Sequence, residues 1–504
     1  MGMLSTESAG RASSGVLHAA AFLLSGVCAV AALVWLTYPG FVGLDAATQF
    51  EQASQGRYIY WHPPLMSAVW RWLLPLAPGQ MTMAVLSYTF VYAALALVLH
   101  RLLQSPTAFV LAGAMLLFPP VFAPFVALSK DAFAFSSLIL GLVFLAEARG
   151  KEGWAQRLAF EAAALLLLTL GAILRFELAP VAAVLIALHV VTTLLAVGRW
   201  WAPARLLGMA VVASILAVIF TVGVKALDGW ISFGILDAER QYPEATLLLH
   251  NLAAISIRAG ENLIPASRFM GEVDFGTIQS LFHPAAGDSI IWRPDGSKML
   301  DINFTQPSEA AELRRAWIQA IIEYPVVFLR HRLEFGAHLL GFQPWPWSQV
   351  LDLEHLARFQ RDVICDGWGF SAAMGGPDNC APVVTPALAA VNEVSVMAER
   401  RGLLRGYVSL LVLAVCTPLL TFYHARLRKD RVAAWLVAFL GLACLGHAAM
   451  LVLVAPSVQQ RYLGLLGIGM TVMLIGLLSA ASQLIMASLR EWRTIRAASG
   501  PRRH

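Results

Sequence analysis

The sequence predicts an all-α polytopic membrane protein of about ten transmembrane helices, with one mainly α domain outside the membrane. The 504 residues are 58% hydrophobic and only 13% charged, with a mean hydropathy of +0.68, which is unusual for soluble domains. Ten apolar stretches approach or reach the roughly 20 residues that a helix needs to cross a bilayer. A single long polar segment interrupts their succession.

The apolar stretches form two groups, seven before the polar segment and three after it. We predict spans at about 16–38, 81–103, 107–127, 132–147, 158–174, 178–197, 206–226, 403–423, 432–454 and 463–486. The chain then divides into an N-terminal transmembrane module (1–226) with an external loop at 39–80, an external domain (227–402), a C-terminal transmembrane module (403–488) and a basic tail (489–504). Within the external regions, segments 63–75, 308–324 and 326–340 have helical patterns.

The short loops predict the orientation, because basic residues concentrate in alternate loops. With a cytoplasmic N-terminus, the inner loops and tails hold most of the arginines, and the short outer loops hold only Arg57, Arg71, Lys130, Arg175 and Arg461. The positive-inside rule therefore predicts cytoplasmic termini and a periplasmic domain at 227–402, in a bacterial inner membrane. A basic inner face suits anionic lipid headgroups, so no nucleic-acid partner is expected.

Two of the five cysteines, Cys365 and Cys380, lie in the polar segment. In an oxidising compartment this pair either forms a disulfide that closes a small loop or remains as two thiols. The sequence alone leaves both states open.

Polar residues concentrate in four short external segments, each at the outer end of a predicted span. They are the first loop with Asp45, Glu51, Arg57 and His62; Ser129-Lys130-Asp131; Arg175-Phe176-Glu177; and the segment Ser457 to Tyr462, which includes Gln460 and Arg461. Charges at a lipid boundary are costly unless they are paired or used. The charges of any one segment alone are explained as a mark of a helix end. Four such segments on one face of the membrane favour a shared site.

Such a set suits the transfer of a sugar from a lipid phosphate. A carboxylate acts as general base on an incoming hydroxyl, and Lys and Arg hold the phosphate. The anomeric centre becomes cation-like as the leaving phosphate gains charge.

Several of these motifs resemble those of the GT-C-fold glycosyltransferases that use polyprenyl-phosphate sugars, such as protein O-mannosyltransferases and lipid A aminoarabinose transferases. The likeness rests on Asp45 followed by Trp61-His62-Pro63-Pro64-Leu65, on Ser129-Lys130-Asp131, on Arg461-Tyr462, and on the segment from Trp317 to Leu340. The chain departs from the family pattern where Ala46 follows Asp45 and where Leu463-Gly464-Leu465 follows Arg461-Tyr462. These departures bear on the donor and the subfamily.

The resemblance implies a role for each residue. Asp45 would be the general base, and Lys130, Arg175 and Arg461 would bind the donor phosphate; the substrate-binding set would be Glu51, Arg57, His62, Asp131, Glu177, Gln460 and Tyr462. The implied partners are a polyprenyl-phosphate-linked sugar, the lipid bilayer and a glycan, lipid or protein acceptor. No metal is expected to be obligatory, although a divalent cation at Asp45 and Asp131 is compatible with the sequence.

Other interpretations remain open at this stage. Asp45 would also serve as N-cap of a helix over 46–55, and His62 as a structural partner of the Pro63-Pro64 turn. A transporter or flippase of lipid-linked saccharides, or a polymerase or ligase, would share the predicted topology. A prolyl cluster at Pro119, Pro120 and Pro124 in the third span favours a transporter most.

Overall fold

The computed structural model describes residues 3–77, 79–197, 203–271, 273–293, 297–344, 353–367, 369–370, 376 and 380–498. Most of them are helical, so the predicted all-α fold class is confirmed.

The helices occur in the following order along the chain. They are α1 Met3–Thr37, α2 Leu44–Gln55, α3 Pro64–Leu73, α4 Met81–Leu103, α5 Thr107–Met115, α6 Pro119–Phe125, α7 Lys130–Arg149, α8 Trp154–Leu174, α9 Leu178–Val197, α10 Pro203–Gly229, α11 Ala245–Ala259, α12 Phe275–Leu281, α13 Pro307–Glu323, α14 Pro325–Leu340, α15 Leu353–Phe359, α16 Pro386–Arg400, α17 Gly406–Phe422, α18 Arg431–Val454 and α19 Gly464–Ala498. Two short strands, β1 Phe41–Val42 and β2 Ala127–Leu128, pair in parallel before α2 and α7.

Nine helical segments in the described ranges are long and apolar enough to cross a membrane, and one bent pair adds a tenth. The nine are Gly15–Thr37, Met81–Leu103, Lys130–Arg149, Trp154–Leu174, Leu178–Leu195, Leu207–Ile235, Gly406–Leu427, Arg431–Val454 and Arg461–Thr494. The chain is thus a multi-pass membrane protein by length and composition. The sidedness of the spans stays a prediction.

Several helices extend beyond the predicted boundaries. The fourth and fifth spans, Lys130–Arg149 and Trp154–Leu174, are longer than the predicted 132–147 and 158–174, and the seventh span reaches Ile235 rather than residue 226. The last helix continues to Ala498, so residues 489–498 of the predicted basic tail are helical. Hydropathy underestimates the length of these helices. Long charged side chains near a helix end lower the local hydropathy, although they reach the membrane interface from within the helix.

The third predicted span, 107–127, is divided into α5 and α6, which are inclined by 56°. Phe118 between them is extended, and Pro119 and Pro120 open α6 without backbone N–H groups. Proline ends a preceding helix because its ring excludes the helical conformation of the residue before it. All seven residues of α6 are buried.

Two large hydrophobic cores organise the molecule, and Ala172, Ile173, Ala179 and Val224 form a third, small cluster. The larger one is formed by the spans, and Leu353, Ile364 and Leu388 of the polar segment also belong to it. The smaller one is formed by α11 to α13, with Leu249 and Leu313 among its buried residues. Among the described residues of the predicted external domain, those from α11 to α13 share a core of their own, whereas buried Phe335 and Leu339 of α14 belong to the larger core.

Candidate active site

The strand pair holds the first loop against the second. Phe41 pairs with Ala127 and Val42 pairs with Leu128. Helix α2 begins two residues after β1 and carries Asp45 in its first turn, and α7 begins two residues after β2 with Lys130. The small sheet thus positions the first turns of α2 and α7, which carry Asp45 and Lys130.

Gln360 connects this sheet to the part of the polar segment that carries Cys365 and Cys380. The Gln360 side chain accepts a 2.8 Å hydrogen bond from the Val42 N–H and donates to the carbonyls of Gly40 and Cys380 at 3.3 and 2.6 Å. Gly40 has a φ of +118°, which L side chains rarely adopt. Cys365 and Cys380 form a disulfide, one of the two states that the sequence allowed.

Arg461 joins three of the four predicted segments. Its guanidinium donates to the Asp45 carboxylate and, at 2.6 Å, to Oε1 of Gln459, and its Nε lies 3.6 Å from Oδ2 of Asp131. The N-cap of α2 is Gly43, without a side-chain cap, so Asp45 is not the N-cap of this helix. Its carboxylate is instead directed towards Arg461.

Arg175 lies behind this pair. Its guanidinium contacts Oδ1 of Asp131 at 3.0 Å and donates from Nε to Oε1 of Glu177 at 2.6 Å. The Tyr462 ring covers the same guanidinium, with 4.4 Å between Cζ and the ring centroid. Arg175 is only 5% exposed and already contacts two carboxylates. It therefore orients Asp131 and has no open face for a substrate.

Lys130 and His62 complete the cluster from the other side. Nζ of Lys130 lies 3.2 Å from Nδ1 of His62, and Nε2 of His62 lies 3.6 Å from Oδ1 of Asp45. An ammonium group only donates, so Nδ1 must accept and Nε2 must carry the proton that faces Asp45. His62 therefore connects Lys130 to Asp45.

The charges around Asp45 and His62 determine their protonation. Burial alone would raise the pKa of Asp45, but the positive charges near it, that of Arg461 above all, hold this pKa well below its ordinary range. Burial, reinforced by the charge of Lys130, lowers the pKa of His62 to about 3. The cluster thus contains an ionised Asp45 beside a neutral imidazole at physiological pH.

The same competition operates at the Arg175 pair. Burial would raise the pKa of Glu177, but the Arg175 charge lowers it to about 2. Burial also opposes the charge of Arg175, and Asp131 and Glu177 together raise its pKa above the ordinary value. Both groups are therefore ionised.

Asp288, which the sequence analysis did not single out, lies at the edge of the cluster. Ser457 donates to Oδ2 of Asp288 at 3.5 Å, and the Gly287 N–H donates to the Pro456 carbonyl at 3.0 Å. Burial and the Asp45 charge raise the pKa of Asp288. In the sequence, Gly287-Asp288-Ser289 is typical of a surface turn, and no local signal separates it from other turns.

Arg332 is the second residue that the sequence did not reveal. It is 1% exposed, and its guanidinium donates to the carbonyls of Val452 and Ala455 at 2.8 and 2.9 Å and to Oδ1 of Asn251 at 3.2 Å. These carbonyls end α18, where a helix has unpaired acceptors. Burial without a contacting carboxylate among these partners lowers the pKa of Arg332 to about 9.

The other predicted substrate-binding residues either lie away from this cluster, contact arginines, or have a side chain outside the described part of the structure. Glu51 accepts a 3.1 Å hydrogen bond from Gln55 one turn along α2, and Arg57 is exposed after the end of that helix. Gln460 belongs to a short helical turn, Gln460–Leu463, and its side chain is outside the described part of the structure. Asp131 and Tyr462 contact arginines rather than open space.

Within the described ranges, no three His, Cys, Asp or Glu side chains converge as a metal site. Both carboxylates considered for a divalent cation, Asp45 and Asp131, contact Arg461. The dispensability of a metal remains a prediction.

Comparisons with known proteins give no match: no family model, no curated protein and no solved structure is similar to this chain. The functional argument therefore depends on the cluster itself.

Proposed function

We propose that the protein is a membrane glycosyltransferase that transfers a sugar from a polyprenyl-phosphate donor to a cell-envelope acceptor. The observation that carries this proposal is the position of Asp45. Its side chain is 31% exposed and in contact with Arg461 and His62, with Lys130 behind His62. A base and two phosphate-binding cations thus occupy one end of the spans.

In the proposed reaction, the acceptor hydroxyl attacks the anomeric carbon of the donor sugar. Asp45 takes the hydroxyl proton as the new C–O bond forms, and the electron pair of the broken bond goes to the polyprenyl phosphate. Lys130 and Arg461 stabilise the charge that develops on this phosphate. Arg175 acts indirectly, because Asp131 links it to Arg461.

The ion pair between Asp45 and Arg461 suggests how the base is activated. A carboxylate with a strongly lowered pKa is a weak base. Arginine also binds phosphate oxygens strongly, so an incoming donor phosphate would compete for Arg461. Loss of that partner would raise the pKa of Asp45 only when the donor is bound, which limits base catalysis to the loaded site.

The proposed setting is a bacterial inner membrane with cytoplasmic termini and the cluster on the periplasmic side. It is supported by the excess of Arg and Lys in the alternate loops and by the disulfide between Cys365 and Cys380, which suits an oxidising compartment. The acceptor is proposed only as a glycan, lipid or protein of the envelope.

The test is a mass comparison of envelope glycans from cells without the gene and from cells complemented with wild-type, Asp45→Asn or Glu51→Gln protein. We expect a hexose- or pentose-sized addition only with wild type and Glu51→Gln, since Glu51 lies on the same helix but contacts Gln55. Asp45→Asn should lower transfer at least roughly 100-fold, the usual contribution of a general base.

Membrane-inserted protein with an intact disulfide must be found at equal levels for all variants. Full activity of Asp45→Asn would remove Asp45 as the base. Identical glycans with and without the gene would contradict glycosyl transfer altogether.

A transporter of lipid-linked saccharides is the alternative, and the bend between α5 and α6 is the observation that favours it. However, the seven residues of α6 are all apolar and buried, whereas ion-coupled transport uses polar groups at such a break. A transporter would move the lipid-linked sugar across proteoliposomes without cleaving it, which separates the two functions.

A further inference from the structure

Helices α13 and α14 carry a continuous exposed apolar face. Ile318 and Ile322 on α13 are 50% and 75% exposed, and Val326, Leu329 and Leu333 on α14 are 77%, 54% and 62% exposed. The most exposed pair, Ile322 and Val326, lies on both sides of the joint between the two helices. Such a face needs a partner, because single exposed apolar residues are common but contiguous ones are not.

Two contacts show how α14 is oriented with respect to the spans. Arg332 binds carbonyls at the end of α18, and a Cβ on Gly341 would lie 3.0 Å from Arg405, directly before α17 begins. The two residues are about 14 Å apart along the helix axis at a rise of 1.5 Å per residue. Because α18 ends and α17 begins on the same side of the bilayer, α14 runs along the membrane surface rather than away from it.

The buried face of α14 is directed towards the protein. Arg332, Phe335 and Leu339 are at most 1% exposed, and at about 100° per residue the positions of Phe335 and Leu339 lie roughly opposite that of Val326. Next to Val452, which packs against Gly336, Leu453 of α18 is 48% exposed and belongs to the lipid-facing surface of a span. Exposed apolar surface of a membrane-spanning helix therefore begins one residue from the contact between α14 and α18.

We propose that α13 and α14 form an interfacial anchor, whose apolar face (Ile318, Ile322, Val326, Leu329 and Leu333) is embedded at the headgroup boundary of the leaflet on the Asp45 side. Exposed Arg315 and Arg330 lie beside this face, which suits anionic headgroups. The anchor would hold the part of the polar segment that carries Asp288 and Arg332 at a fixed height above the spans. This inference does not depend on the proposed enzymatic activity.

The test uses single cysteines at Ile322, Val326 and Leu329, each labelled with an environment-sensitive fluorophore in the full-length protein. The background is Cys28→Ser, because Cys28 is exposed while Cys416 and Cys444 are buried and the remaining two cysteines are bonded. The protein is placed in nanodiscs of phosphatidylcholine and phosphatidylglycerol that contain a shallow spin-labelled lipid. Ser280→Cys on exposed α12 is the matched control.

We expect a blue-shifted emission that the spin-labelled lipid quenches and that aqueous iodide does not quench at the three anchor positions. Ser280→Cys should give the reverse. Iodide quenching at Val326→Cys equal to that of the control would mean a water-facing surface and would overturn the proposal. Protection from both quenchers would mean coverage by a second copy or another protein, which would overturn it as well.

Discussion

The two ends of the transmembrane helices each carry a cluster of charges, and the clusters differ in construction. At the end away from Asp45, Arg101 contacts Glu147 at 3.2 Å and Asp430 at 2.8 Å, and Gln104 donates to Asp430 at 2.8 Å. Asp430 also caps α18 by accepting from the Ala433 N–H at 3.0 Å. Every member of this cluster either closes a helix end or pairs with a residue that does.

The Asp45 end contains groups that helix closure does not require. Asp45 lies inside the first turn of α2 rather than at its cap, and a neutral His62 separates it from Lys130. Exposure does not distinguish the two ends, since Glu147 is 32% exposed and Asp45 31%. The comparison teaches that charge pairing at a lipid boundary indicates a functional site only where the groups exceed what the helix ends use.

Matched arginine variants would test this difference most strongly. Arg461→Ala removes a cation from the donor site, so kcat/KM for the lipid-phosphate sugar should fall by roughly 100-fold or more, the usual effect of removing one oxyanion donor. Arg101→Ala should mainly lower stability. If both variants lose donor use equally at equal folded levels, the two clusters have the same structural role.

Breaking the contact between Arg332 of the polar segment and the end of α18 should have the next largest effect, which is a loss of stability. Arg332→Met leaves two span-end carbonyls and Asn251 without a buried donor, which should lower the free energy of unfolding by on the order of 3 kcal/mol. Arg428→Met removes two exposed hydrogen bonds at the other end, to Gln104 and Gln483, and should change it little. Thermal unfolding in detergent measures both, and equal shifts would contradict the special role of Arg332.

The smallest expected effect is a pH dependence confined to the polar segment. Burial lowers the pKa of His331 to about 2 and that of His250 to about 4, whereas unfolded histidine titrates near 6.5. The unfolded chain therefore binds more protons between these values, and stability falls as pH decreases from about 6.5. His331→Gln should flatten the unfolding curve between pH 7.5 and pH 5 by roughly 2 kcal/mol; an unchanged slope would mean that His331 is already protonated in the fold.

Hydropathy predicted the larger part of the architecture. All ten predicted spans correspond to a spanning helix or, at 107–127, to a bent pair, because crossing a bilayer demands an apolar length that sequence displays directly. The four polar segments were also expected to meet, and Asp45, Lys130, Arg175 and Arg461 do form one cluster. Because successive spans run in opposite directions, the order of the spans alone places these four residues at the same end of the helices.

The internal arrangement of the cluster was beyond the sequence. Arg175 and Arg461 have the same local signal, a cation at a span end, yet one is 5% and the other 27% exposed on its side chain. Arg332 follows exposed Arg330 by two residues and differs from it only through the end of a distant helix. Such distinctions arise from tertiary contacts, which periodicity does not encode.

The four-residue sheet of β1 and β2 places a constraint on insertions and deletions. Asp45 follows Val42 by three residues and Lys130 follows Leu128 by two, while the strands pair Phe41 with Ala127 and Val42 with Leu128. A single residue gained or lost in either connection would rotate the start of its helix by about 100° and would move Asp45 away from Arg461 or Lys130 away from His62. Length variation in this protein is therefore not expected in these two connections.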